Sequence, residues 1–159
     1  MRSPRTEWAV DYDLVLAQAR SLFESERDAV ANAANLSALI SAAWPDINWA
    51  GVYYVRGDEL VLGPFQGKVA CVRIARGSGV CGSAWAGAQT LVVPDVHAFP
   101  GHIACDAASN SEIVVPLRSR GGIVGVLDVD SPSFDRFGAA DREALETLAA
   151  LYTAHSDFS

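Results

Sequence analysis

Apolar residues first recur at helical spacing and then at strand spacing. Val15, Ala19 and Leu22, with Leu16 and Phe23 beside them, put an apolar stripe on residues 11–23. Ala29, Ala33, Leu36, Ile40 and Ala43 put a second stripe on residues 26–43. Ser25 with Asp28 three residues on resembles a capping box for this second helix, and Pro45-Asp46 stops it. The pattern then predicts strands over 48–55, 59–65, 69–75, 90–93, 112–117 and 123–130. The first two are joined at Arg56-Gly57-Asp58 and the last two by Ser119-Arg120-Gly121-Gly122. Small residues over 79–87 predict a short helix between strands. A final helix over 140–154 turns Ala144, Leu145, Leu148, Leu151 and Tyr152 inward. Two helices, a central largely antiparallel sheet of about six strands and a closing helix predict an α+β layer architecture. Residues 1–10 read as an N-terminal tail and 11–159 as one domain.

Composition narrows the classes. The 159 residues are half hydrophobic and carry a formal net charge of −7, enough apolar material for a real core and against overall disorder. A chain with one lysine, Lys68, is a poor binder of nucleic-acid backbone. No run approaches 18 apolar residues, so no membrane-spanning helix is expected. The start, MRSPRTEWAVDYD, has no apolar core of a signal peptide, so a cytoplasmic location is the default expectation.

The cysteines Cys71, Cys81 and Cys105 change the picture further. Three is an odd number, which argues against a closed disulfide framework. There is no CxxC and there are only three histidines, so the paired ligands of a zinc site are absent and no metal is expected. Thiols that pair in a reducing compartment are transient or catalytic, and the alternative is three small buried hydrophobes. Cys105 lies in a 94–110 loop, PDVHAFPGHIACDAASN, too long for a plain connector and anchored by Val96, Phe99 and Ile103. That suggests a packed lid with an accessible thiol, or a cysteine that pins the loop to the core. Cys71 falls in a strand pattern and Cys81 in the glycine-flanked GVCGSAW segment. Either could resolve a reaction at Cys105. His97 and His102 invite a Cys–His hydrolase reading, but no third group is evident. Gly77-Ser78-Gly79 lacks the trailing Lys-Ser/Thr of a phosphate loop and reads as a turn.

Acidic residues are few between 61 and 120, yet Glu112 starts the apolar strand EIVVPL and Asp128 and Asp130 end IVGVLDVD. Residues two apart share a strand face, so Asp128 and Asp130 align with Val124 and Val126. The connection sets whether Glu112 joins them. A three-residue loop, Arg120-Gly121-Gly122, puts Glu112 opposite Asp130, whereas a two-residue loop shifts the register by one and turns Glu112 away. Three clustered carboxyls in a partly apolar site would raise at least one pKa and keep an acid protonated near neutrality. Trp49 and Tyr53, four apart, share a face and could wall a small pocket.

The stretches NWAGVYY, FQGKVACVRIARGSGVCGSAW, VPDVHAFPGHIACDAASNSEIVVPL and GVLDVDSPSFDRF cover about residues 48–137. Their cysteine spacings of 10 and 24, with acids after the last cysteine, resemble the free methionine-(R)-sulfoxide reductases, a family of stand-alone GAF domains. The resemblance implies a homodimeric, cofactor-free enzyme that reduces free methionine-(R)-sulfoxide with thioredoxin as reductant. It implies Cys105 as nucleophile, Cys71 as resolving thiol and Cys81 as an alternative or second one. It further implies that Glu112, Asp128 and Asp130 bind substrate and assist catalysis. Trp49 and Tyr53 would surround the S-methyl end, with backbone amides near Ile103 and Ala104 helping to hold the substrate. The competing expectation is a non-catalytic GAF module that senses a small molecule or redox state. Such a module implies an attached output domain, for which 159 residues leave no room.

Overall fold

The first two helices begin where a carboxylate meets their free amide groups. In the computed structural model, which describes residues 6–102 and 108–158, Asp11 caps α1 (Tyr12–Phe23) by accepting from the Leu14 amide. Val15, Ala19 and Phe23 are buried, whereas Leu22 is 41% exposed, so the stripe is narrower than its apolar residues suggest. In α2 (Ala29–Ala43) the cap is Asp28 itself, accepting from the Ala31 amide at 2.9 Å. The expected Ser25–Asp28 box is therefore replaced. The helix starts three residues later than such a box requires, and Glu26 accepts from the amides of Arg27 and Asp28. Of the expected tail, residues 6–8 form a 3₁₀ turn, and the Trp8 indole donates to Asp46.

The strands are β1 (Trp49–Arg56), β2 (Glu59–Gly67), β3 (Arg73–Ala75), β4 (Leu91–Val93), β5 (Ser111–Ser119) and β6 (Gly122–Ser131). They form one six-stranded sheet of order β3-β2-β1-β6-β5-β4, every pair antiparallel. Helix α3 (Gly79–Gly87) joins β3 to β4, and α4 (Ala139–His155) closes the chain. α2 and α4 pack on one face of the sheet and α1 packs against both of them. That face is apolar: Ala50, Val52, Ile113, Val115, Leu117, Leu127 and Val129 meet Leu36, Ile40, Leu145 and Leu148. α3 covers the other face through Val80, Cys81, Ala84 and Trp85.

The expected strand over 69–75 shortens to residues 73–75, so Cys71 lies in an irregular segment and not in a strand. Gly67, at φ +140°, turns the chain out of β2, and β3 pairs only with Glu59–Val61. Val69 and Val72 are left 88% and 60% exposed, and strand pairing would not have buried them.

The β5–β6 register is the expected one reached by another route. Ser119 pairs with Gly122, so the loop is the two-residue Arg120-Gly121 that alone would turn Glu112 away. Between Leu117↔Gly125 and Arg118↔Ile123, however, β6 carries one extra residue, Val124. This bulge restores the lost residue, and Glu112 faces Asp130. It also corrects one detail. Val124 packs against the helix-covered core, whereas Val126 packs on the α3 side, so the two valines are not in line.

One buried ion pair locks the helical layer. Asp141, at the third position of α4, accepts from Gly138 N, Tyr12 Oη and Trp44 Nε1 at 2.9, 2.8 and 2.9 Å. It also faces Arg136 at 3.4 Å, whose side chain is 1% exposed. Removing one partner strands the other charge in the core, at a cost of about 3–5 kcal/mol. Asp141→Ala should lower the unfolding free energy by about that amount in urea denaturation. A loss below about 1 kcal/mol would mean that Arg136 finds water instead.

Candidate active site

The face of the sheet not covered by α2 and α4 carries the chemistry. β1 presents Trp49, Gly51 and Tyr53 on this face, β6 presents Asp128 and Asp130, and β5 presents Glu112 and Val114. Cross-strand pairing sets two rows, Glu112–Asp130–Trp49 and Val114–Asp128–Gly51. Trp49, Tyr53, Glu112, Asp128 and Asp130, with the first turn of α3, the 69–70 segment, His102 and Ser109, line a pocket of about 50 Å3. That is several times the ~10–15 Å3 one water needs.

The aromatic wall depends on a glycine. Trp49 stacks on Phe65 at 5.2 Å and 15°, and on Tyr53 at 5.9 Å and 26°. A Cβ on Gly51 would stand 2.4 Å from the Phe65 Cβ and 2.8 Å from the Trp49 ring. Only the missing side chain lets the three rings close over β1. The polar ends of the wall then tie down the neighbouring segment. The Trp49 indole donates to the Lys68 carbonyl at 3.1 Å, and the Tyr53 hydroxyl donates to the Cys71 carbonyl at 2.9 Å. Burial and the nearby Asp128 hold the Tyr53 hydroxyl well above the usual phenol range, so it stays a donor.

Glu112 and Asp128 are 8% and 6% exposed. Burial, followed by the Asp128 charge, raises the Glu112 carboxyl well above its ordinary range. Burial, followed by the Asp130 charge, does the same to Asp128. Cys81 donates to Glu112 Oε2 at 3.9 Å. Its thiol is pushed well up by burial, then by Asp128 and Glu112, so it is held neutral. Glu112, Asp130 and Cys81 all lie within hydrogen-bonding reach of the Asp128 carboxyl.

The fold thus gathers Trp49, Tyr53, Cys81, Glu112, Asp128 and Asp130 around one pocket. Cys71 is half-buried and disulfide-bonded, while Cys81 is a free thiol. Cys105, Ile103 and Ala104 lie outside the described residues. His97 points elsewhere and bonds Asn110 at 2.8 Å, but His102 lines the pocket. Gly77-Ser78-Gly79 is more than a turn, because Ser78 and Gly79 open α3 against the acids. Sequence reasoning missed Phe65 and Ser109. The pairing of Phe65 with Gly51 carries no local signal, whereas Ser109 sits in the lid-like loop that the sequence had singled out.

Comparison with known proteins places the chain in a family. A family model described as GAF domain matches residues 34–155. The free methionine-R-sulfoxide reductase of Escherichia coli (strain K12) is 55% identical over 130 residues, covering 82% of this chain and 79% of that protein. Protein YtsP of Bacillus subtilis (strain 168) is 54% identical over 141 residues, covering 87% of this chain and 86% of that one. The X-ray structure of free methionine-R-sulfoxide reductase from Neisseria meningitidis in complex with its substrate matches with a TM-score of 0.89 at 45% identity, over 98% of this chain and 95% of that chain.

The raised carboxyl pKa values have a consequence for stability. The folded chain keeps protons on Glu112 and Asp128 that an unfolded chain releases above 4.5 and 3.8. Stability from these groups is full below those values and is lost as pH rises toward the folded-state values. Glu112→Gln and Asp128→Asn, which need no proton, should each flatten the fall in unfolding free energy between about pH 5 and pH 8. Urea denaturation at the two pH values checks this. Variants that follow the wild-type slope would mean that the carboxyls are ionised in the folded protein.

Proposed function

The chain belongs to the free methionine-R-sulfoxide reductase family of GAF domains, and on that premise we propose that it reduces free L-methionine (R)-S-oxide to L-methionine. The observation that carries this reading is the buried Glu112–Asp128 pair, with Asp130 beside it, facing an aromatic wall across one small pocket. Sulfoxide reduction by a thiol needs a proton delivered to oxygen as the thiolate attacks sulfur. A carboxyl kept protonated by burial supplies it, and a neighbouring ionised carboxylate pairs with the substrate's ammonium. The Trp49 and Tyr53 rings offer an apolar surface to the S-methyl group.

In this mechanism the Cys105 thiolate attacks the sulfoxide sulfur, methionine leaves, and Cys105 retains the oxygen as a sulfenic acid. The Cys71 thiol condenses with it, forming a disulfide and water. Two observations support Cys71 over Cys81 as the resolving thiol. Cys71 is half-buried and disulfide-bonded, whereas Cys81 is a buried neutral thiol hydrogen-bonded to Glu112. An external dithiol, thioredoxin in this reading, restores both thiols by exchange. Amides near Ile103 and Ala104 complete the substrate's polar contacts.

Turnover of free methionine-(R)-sulfoxide, followed by NADPH oxidation through thioredoxin reductase and thioredoxin, tests the assignment directly. Free substrate should be reduced at least about a hundredfold faster than its N-acetyl derivative, because acetylation removes the ammonium that the ionised carboxylate pairs with. The S epimer should be a poor substrate, since it places methyl against the acids. Equal rates on free and acetylated substrate would exclude this reading.

The order of thiol steps is separately testable. Substrate without reductant should leave a Cys71–Cys105 disulfide in peptide mass maps. Cys71→Ser should release about one methionine per chain and then stop, and Cys105→Ser should release none. A Cys71–Cys81 bond as the sole product would reassign the nucleophile.

A further inference from the structure

Cys71 sits on a segment that strand pairing does not hold. Gly67 turns the chain out of β2 at φ +140°, and pairing resumes at Arg73 in β3. Val69 and Val72 are exposed, so apolar burial fixes little of the segment. Ala70 and Cys71 pack from its inner side against the core covered by α3. Polar bonds add to this hold. The Leu62 amide donates to the Val72 carbonyl at 2.9 Å. The Trp49 indole donates to the Lys68 carbonyl at 3.1 Å, and the Tyr53 hydroxyl to the Cys71 carbonyl at 2.9 Å. The last two donors are side chains of the pocket wall, and one of them grips the peptide of Cys71 itself. Gly67 lies against the same wall, since a Cβ there would stand 2.6 Å from the Trp49 ring. Placement matters for this residue, because a disulfide needs Cα atoms within about 7 Å and a narrow approach of the two Cβ atoms. The Tyr53 bond is made with Cys71 disulfide-bonded, so it belongs to the bonded arrangement.

We infer that Tyr53 and Trp49 have a second task besides shaping the pocket: through their polar ends they are positioning residues that hold Cys71 for disulfide formation. The inference rests on the reductase reading, in which Cys71 resolves the sulfenic acid. In that step the S–O bond of the Cys105 sulfenic acid breaks and the S–S bond to Cys71 forms. The Cys71 proton and the hydroxyl leave together as water, the Cys71 sulfur being oxidised and the sulfenic sulfur reduced. Neither aromatic residue gains or loses an electron or a proton. Their contribution is geometric, and a misplacement of about 1 Å can cost a hundredfold in rate. Burial keeps the Tyr53 hydroxyl protonated, so it remains a donor at neutral pH. The wall that faces the substrate with its rings thus fixes, with its polar ends, the sulfur that acts after methionine has left.

Tyr53→Phe in the full chain tests this, because it keeps the ring and removes the bond to the Cys71 carbonyl. The first arm uses no sulfoxide, so its outcome is separate from the reductase reading. The protein is equilibrated with mixtures of reduced and oxidised dithiothreitol, and its free thiols are counted. Tyr53→Phe should shift the disulfide equilibrium toward the dithiol about fivefold, the usual weight of one neutral hydrogen bond. Trp49→Phe should shift it in the same direction. Val72→Ala should match wild type, since the Val72 carbonyl is held by a backbone amide. The second arm adds methionine-(R)-sulfoxide without reductant in a rapid-quench experiment. In Tyr53→Phe, disulfide formation should slow at least about fivefold relative to methionine release, and dimedone should trap more sulfenic acid on Cys105. A wild-type equilibrium, or a wild-type ratio of the two rates, would overturn the inference. Slowed methionine release with normal disulfide formation would overturn it equally, by assigning the hydroxyl to the substrate. No methionine release from the wild-type protein would overturn the reductase reading and the step with it, while the first arm still reports the hold on the disulfide.

Discussion

The pairing of Glu112 with Asp130 is the constraint on which the site rests. Side chains alternate faces along a strand, so a slip of one residue would exchange the two faces of β5. Glu112 would then point under α4, and Ile113, Val115 and Leu117, all buried against the helices, would point into the pocket. Neither result is stable: one buries a carboxyl among leucines, and the other leaves three large apolar residues facing polar groups. The bulge at Val124 absorbs the mismatch left by the two-residue turn and lets both faces be satisfied at once. The bulged residue and its flanking residues belong to different cores, Ile123 and Val126 above the sheet and Val124 below it.

The two faces then take on different tasks. The helix-covered face is a dry core closed by buried polar anchors: Asp141 with Arg136, and Tyr54 with Tyr152 at 2.8 Å. It offsets the cost of the opposite face, where two buried acids and a buried thiol share a small volume. Gly125 shows how tightly the layers are fitted, since a Cβ there would meet the Tyr53 carbonyl at 2.1 Å. The Tyr53 ring forms part of the pocket wall, so sheet packing and pocket shape are linked through one strand.

Burial also sorts the thiols and carboxyls by protonation. In a pocket with room for only a few waters, charge is stabilised mainly by close partners. Glu112 and Asp128 hold protons because ionising both would place like charges side by side away from solvent. Cys81 stays neutral for the same reason. Cys71, on the irregular segment after β2, is half-buried and disulfide-bonded. The acids on the pocket floor and the half-buried Cys71 thus lie in different environments.

Much of this was legible in the chain itself. Helical stripes at 11–23 and 26–43, alternation from residue 48 onward, and a closing helix near 140–154 specify an α+β fold, because burial of an apolar face has a period that sequence displays. The two-residue spacing of Asp128 and Asp130, and the four-residue spacing of Trp49 and Tyr53, placed each pair on one face for the same reason. What sequence left open was every relation between distant segments. Local pattern could not choose between loop lengths at 119–122, and it contained no sign of the Val124 bulge that made the choice harmless. It read Cys71 as a strand residue because valines flank it, although pairing ends at β3 and leaves those valines exposed. It saw Cys81 as one of three thiols, while the tertiary fold set its sulfur against Glu112. Periodicity tells each residue which way to face, but proximity, burial and therefore protonation arise only when strands and helices from opposite ends of the chain are packed together.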